Sequence, residues 1–269
     1  MFAGFKVRLE DDAFDNCGDV YDAGMAVYDF QKLQVKEHLD GYLLDDGAIS
    51  ASKIEAEWFP HFNADIFLSH SHRDKHLAVE FAGWLYRNLN VTAFIDSCVW
   101  GYADDLLETI NDRYAITEQS AYNKTYDYHI CMNAASHVHM MLNNALARMI
   151  DETECLMLLN TPNSLTVKQS IDKTYSPWIY SELQFSRLVE HKKLKHYRDR
   201  VLKKSQELYH LDEEADLRVE YDVDTTHLIE LTVDEMNLWI NKSKHKQQPW
   251  ASMDKLYGIK GILAQEIFG

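Results

Sequence analysis

Three short, almost wholly apolar runs constrain this chain more than anything else in it. They are Asp65-Ile66-Phe67-Leu68-Ser69, Thr92-Ala93-Phe94-Ile95-Asp96 and Glu154-Cys155-Leu156-Met157-Leu158-Leu159-Asn160. Runs this short, without apolar/polar alternation, suit strands buried on both faces. Helical periodicity lies between them. His76 to Asn88 places Leu77, Phe81, Trp84 and Leu85 on one face, Asp105 to Tyr114 is amphipathic, and His137 to Ile150 repeats apolar residues at helical spacing. Buried strands alternating with helices predict a parallel α/β sheet. Ligands of such sheets bind beyond the carboxyl ends of the strands. That selects three loops, 69–76, 96–104 and 160–176.

The flanking regions read differently. Residues 1–60 carry few strand signals, and Asp19 to Tyr42 and Ser50 to Glu57 look helical, so a helical N-terminal extension is expected, closed by Pro60. The α/β domain is expected over 61–242, with an insertion near 111–136 and a C-terminal tail, 243–269, in which Trp250 and Leu256 suit docking. Ser97 to Asp104 reads as a loop, and the helix that starts at Ser176 reads as continuing toward Leu208. Arg218 to Tyr221 and Leu228 to Thr232 read as strands, and Asp234 to Asn241 as a short helix.

Composition removes several function classes. Lys and Arg number 27 against 43 Asp and Glu, a net charge of −16, which opposes binding to nucleic acid or to an anionic membrane surface. Cys17, Cys98, Cys131 and Cys155 are dispersed with no CxxC, as expected of free thiols in a reducing compartment. No signal peptide or membrane-spanning run is evident, so a soluble, cytoplasmic protein is expected. His70-Ser71-His72 and His137-Val138-His139 lack accompanying zinc-spaced ligands, and no metal is expected. There is no phosphate-binding G-x-x-x-x-G-K-[ST] loop and no G-x-S-x-G elbow. The basic stretch from Arg187 to Lys204 reads as a solvated helix face.

The densest local signal is Ser176-Pro177-Trp178-Ile179-Tyr180-Ser181-Glu182-Leu183. Ser176 suits an N-cap and Pro177 the first helical position. Trp178 and Glu182, four apart, share a helix face. Glu182 is then either an ordinary solvated helix glutamate or an acid with chemical work to do. Likewise Ser69 and Ser71 either satisfy loop backbone or hold a ligand, and Asp74 reads as a cap for the helix after it.

Taken in order, these segments resemble the Toll/interleukin receptor (TIR) domain family. Asp65 to Asp74 is similar to that family's first strand and loop, Ala93 to Asp104 to its second strand and BB loop, and Cys155 to Asn160 to the strand before its catalytic helix. Ser176 to Leu183 resembles its S-x-W-C-x-x-E-L helix entry, with Ile179 where the family has cysteine. The resemblance spans roughly 64–240. It implies a flavodoxin-like sheet and cleavage of the nicotinamide–ribose bond of NAD⁺, a substrate and not a resident cofactor. It makes Glu182 the catalytic carboxylate, and places Ser69, His70, Ser71, Arg73, Asp96, Ser97, Trp100 and Trp178 as substrate-binding residues. It further implies homo-oligomeric assembly through TIR surfaces. By likeness to bacterial antiphage (Thoeris-like) proteins, a separate effector would respond to an ADP-ribose-derived cyclic or conjugated product. The alternatives are a non-catalytic interaction module and an NAD-depleting toxin.

Overall fold

A computed structural model of the chain describes residues 1–9, 13–14, 19–31, 50–51, 53–54, 63–120, 123–168, 171–198, 221–243 and 248–263. Its centre is an all-parallel sheet of five strands: β1 (Ala3–Val7), β2 (Ile66–Ser69), β3 (Ala93–Ile95), β6 (Cys155–Leu159) and β10 (Ile229–Leu231). Their spatial order is β10-β1-β6-β2-β3. The fold is α/β and flavodoxin-like, with helices on both faces of the sheet.

Strand parity sorts the side chains into two cores. Ile66, Leu68, Ala93, Ile95, Cys155, Met157 and Leu159 point to one face. Phe67, Phe94, Leu156 and Leu158 point to the other. The first face is covered by α1 (Val20–Gln31), α2 (Lys75–Leu89), α7 (Val233–Lys242) and α8 (Pro249–Lys260). The second is covered by α3 (Ser97–Tyr114), α4 (Tyr128–Glu152) and α5 (Pro177–Leu188). Because both faces are covered, β2, β3 and β6 are almost wholly apolar, as their sequences foretold.

The N-terminal segment departs from the expected helical extension. Ala3–Val7 is an interior strand, in register with both β6 (Phe5↔Met157) and β10 (Phe5↔Ile229). Lys6 is tolerated inside the sheet because Asp172, 3.1 Å from its Nζ, and Thr225, at 3.3 Å, take up its charge and donors. Helix α1 does follow, within the expected 19–42 helix. The rest of that helix, most of the predicted helix over 50–57, and Cys17 lie outside the described residues.

Helices α1 and α2 cross at glycines. A Cβ on Gly83 would stand 1.8 Å from the Val20 carbonyl oxygen, and one on Gly24 would stand 1.9 Å from that of Val79. Both obstacles are backbone, so a methyl group fits only if the helices separate. Gly83→Ala is therefore expected to cost about 3 kcal/mol, read as a lowered urea midpoint with unchanged slope.

Three further boundaries differ from expectation. The insertion after α3 is a hairpin, β4 (Ile116–Gln119) paired with β5 (Lys124–Tyr126), and α4 begins nine residues before His137, capped by Asp127, which accepts from His129 N at 2.9 Å and Ile130 N at 3.1 Å. The loop after β6 contains β7 (Thr166–Lys168) and β8 (Ile171–Thr174), which form a small sheet with β9 (Tyr221–Asp222). Helix α5 stops at Leu188 instead of running on to Leu208, and α6 (Leu194–Arg198) follows. The tail is docked as expected, with Met253, Leu256 and Tyr257 of α8 buried.

Candidate active site

Ser69 ends β2, and Asp96 directly follows β3 in the register that pairs Leu68 with Ile95. Parity turns both toward the face covered by α5, since Ser69 pairs with Leu158, a member of that core. Helix α5 starts where its sequence dictates. Ser176 Oγ accepts from Ile179 N at 3.2 Å, and Pro177 occupies N1 without needing a donor. Ile179, Leu183 and Ser186 form its buried stripe, and Glu182 lies in the same stripe. A carboxyl group is thus carried into an apolar core and delivered against the carboxyl ends of β2 and β3.

There Ser69 Oγ donates to Glu182 Oε2 at 2.6 Å. Glu182, Ser69, His70 and Asp96 are all fully buried. His70 Nδ1 lies 2.7 Å from Asp96 Oδ1, and its Nε2 lies 3.1 Å from Ser97 Oγ. His70 Nδ1 also lies 3.5 Å from the Leu68 carbonyl, and the Ser97 hydroxyl can donate to Nε2. Among the described residues, Glu182 Oε1 and both carboxyl oxygens of Asp96 are buried without a hydrogen-bond partner. Burial, and then the neighbouring Asp96, push the Glu182 carboxyl well above the ordinary carboxylate range. Two bare anions this close and this dry would repel strongly, which favours the protonated form of Glu182.

The other expected site residues divide. Ser97 is buried and joins the cluster through His70. Ser71 is buried at the start of the following 3-10 turn, where its side chain makes no capping bond. Arg73 is exposed on that turn. Trp178 is half-buried against α4, its ring 5.8 Å from that of His139 and nearly perpendicular to it. The segment 97–104 is helical from its first residue, not a loop, so Trp100 sits near the start of α3. Helix formation directly after Asp96 is what holds that carboxyl at the end of its strand.

Asp74 does not cap α2 with its side chain. It accepts instead from Thr161 Oγ1 at 2.5 Å and Asn163 Nδ2 at 2.6 Å, joining the loops that follow β2 and β6. Sequence reading had selected both loops but not this link, which spans 87 positions. The basic stretch is not one solvated face. Arg187 pairs with Asp224, Lys192 with Asp151, and Arg198 with both Glu154 and Asp254. Cys155 is a buried free thiol and Cys131 a half-buried one.

Compared with known proteins, the chain matches no family model, no curated protein and no solved structure. Among the described residues no helix is long and apolar enough to cross a membrane, and no three His, Cys, Asp or Glu side chains cluster as a metal site requires.

Proposed function

We propose that the chain is an NAD⁺-cleaving enzyme of TIR type, with Glu182 as its catalytic carboxylate. The observation that carries this reading is the convergence of Glu182, Ser69, Asp96 and His70, buried, at the carboxyl edge of a parallel sheet. A carboxyl placed on the apolar stripe of a helix is costly unless it has work to do.

The chemistry asks little beyond one anion. The bond between ribose C1′ and the nicotinamide nitrogen breaks, and its electron pair leaves on nicotinamide, which departs neutral and needs no proton. Positive charge develops on the ribose, and an ionised glutamate hydrogen-bonded to the ribose hydroxyls stabilises it. Capture of C1′ by water, with loss of a proton, gives ADP-ribose. Capture by a nucleophile of the ADP-ribose itself gives a cyclic product, and capture by another acceptor gives a conjugate. Ser69, which already donates to Glu182, orients the carboxylate. Glu182 is fully buried and its carboxyl is held well above the ordinary carboxylate range, so on this reading the group acts once it meets the substrate and ionises.

We favour a signalling product released to a separate effector, with the catalytic form a homo-oligomer. Mass spectrometry of NAD⁺ incubated with concentrated protein tests this. A discrete cyclic or conjugated species is expected. Bulk ADP-ribose would instead indicate depletion, and intact NAD⁺ would indicate a scaffold.

A further inference from the structure

A second cleft, of about 330 Å³, opens at the opposite end of the sheet from Glu182, over the amino ends of β1 and β10. Its floor is apolar, made by Phe2, Ile229 and Ile262. Its remaining polar walls are basic: His191, Lys192, Lys193 and His227. Among the described residues no carboxylate lines it, although the chain as a whole carries a net charge of −16.

Two of these basic side chains have no acid beside them among the described residues. Lys192 is tied to Asp151, but among the described residues Lys193 has no carboxylate within ion-pair distance, and neither has His191. Both are exposed at the rim. The two histidine rings are fixed in place. His191 Nδ1 gives its hydrogen to the Phe2 carbonyl at 3.3 Å, which leaves Nε2 available. Ser186 donates its hydroxyl to the Leu183 carbonyl at 2.9 Å, so the 2.8 Å contact with His227 Nε2 has the ring donating to Ser186. Burial, then Arg187, hold the His227 pKa below the ordinary histidine range. Two lysines and two imidazoles gathered around an apolar floor complement a ligand that is anionic at one end and flat and apolar at the other.

We propose that this cleft binds a nucleoside phosphate, its phosphate at the rim on Lys193 and His191 and its base on Phe2, Ile229 and Ile262. This inference does not rest on the catalytic reading of Glu182, which concerns the other edge of the sheet.

Titration calorimetry of the full chain with ADP and with inorganic phosphate tests it, with folding of each variant checked by circular dichroism. ADP is expected to bind with a Kd below about 1 mM, and phosphate at least about ten-fold more weakly, because it cannot use the apolar floor. Lys193→Glu, an exposed change, is expected to weaken ADP by about ten-fold or more, and Glu182→Gln to leave it unchanged. Absence of ADP binding at millimolar concentration overturns the proposal, as does equal affinity for ADP and phosphate. So does an ADP affinity that survives Lys193→Glu, above all one that falls instead in Glu182→Gln, which would move the binding to the other edge.

Discussion

Glu182→Gln is expected to make the protein more stable, and more so as pH rises. A buried carboxyl whose pKa is raised on folding binds more protons in the native than in the unfolded chain between its ordinary and its raised value. Stability from this group is fully present at or below the ordinary carboxylate range and is lost as pH rises through the raised folded value. Glutamine keeps the shape and cannot ionise. Its amide oxygen accepts from Ser69, and its amide nitrogen supplies the donor that Asp96 Oδ2 lacks. Thermal unfolding at a series of pH values should show wild type falling away from the variant above the ordinary carboxylate range. Each kcal/mol recovered should appear as about 2–4 °C in Tm. An ordinary structural glutamate behaves the other way: losing its charge lowers stability. A variant less stable than wild type at neutral pH would show that Glu182 is held by its surroundings and not strained by them.

Asp96→Asn is expected to move the ionisation of Glu182 to lower pH. Burial is the larger cause of the raised pKa and stays, but the second cause, the neighbouring carboxyl, is removed. An asparagine amide can also donate to Glu182 Oε1, which lacks a donor in the native site. If the rate of NAD⁺ cleavage follows the ionised form of Glu182, the acid limb of the pH–rate profile moves down. On that limb each pH unit of displacement appears as about a ten-fold higher rate at fixed pH. The conservative change separates this role from simple packing, since a merely structural Asp96 would lower the rate at every pH without moving the limb. An unmoved acid limb in Asp96→Asn would remove Asp96 from the account of how Glu182 is tuned.

Much of this site could be read from the chain before the fold was known. Ser69 and Asp96 each close a short apolar run, and the register of β2 with β3 puts these two flanking residues side by side on one face. Glu182 lies three after Ile179 and one before Leu183, so helical spacing already placed an acid in an apolar stripe. What could not be read depends on long-range compensation. Gly4 and Lys6 make Ala3–Val7 a poor strand by its own composition, and it becomes one only because Asp172 and Thr225, far along the chain, accommodate the lysine. Asp74 looks like a cap from its neighbours, but its acceptors are spent on Thr161 and Asn163. Ser97 to Asp104 holds a glycine and polar residues that suit a loop, whereas in the fold Ser97 and Asp96 bond into the His70 cluster and the helix begins at once. The hairpin after α3 is set by pairing, with Lys124 and Tyr126 both bonding Asp112 on α3, and neither partner is visible in a local pattern.

The central claim is that the buried carboxyl of Glu182 breaks the nicotinamide–ribose bond. Its most direct test is the initial rate of nicotinamide release from NAD⁺ by concentrated wild-type protein and by Glu182→Gln, with the fold of both confirmed. Wild type is expected to release nicotinamide, and the variant to be slower by about 10³-fold, the loss of a preorganised charge at the reacting centre. Equal rates from the two proteins would contradict it.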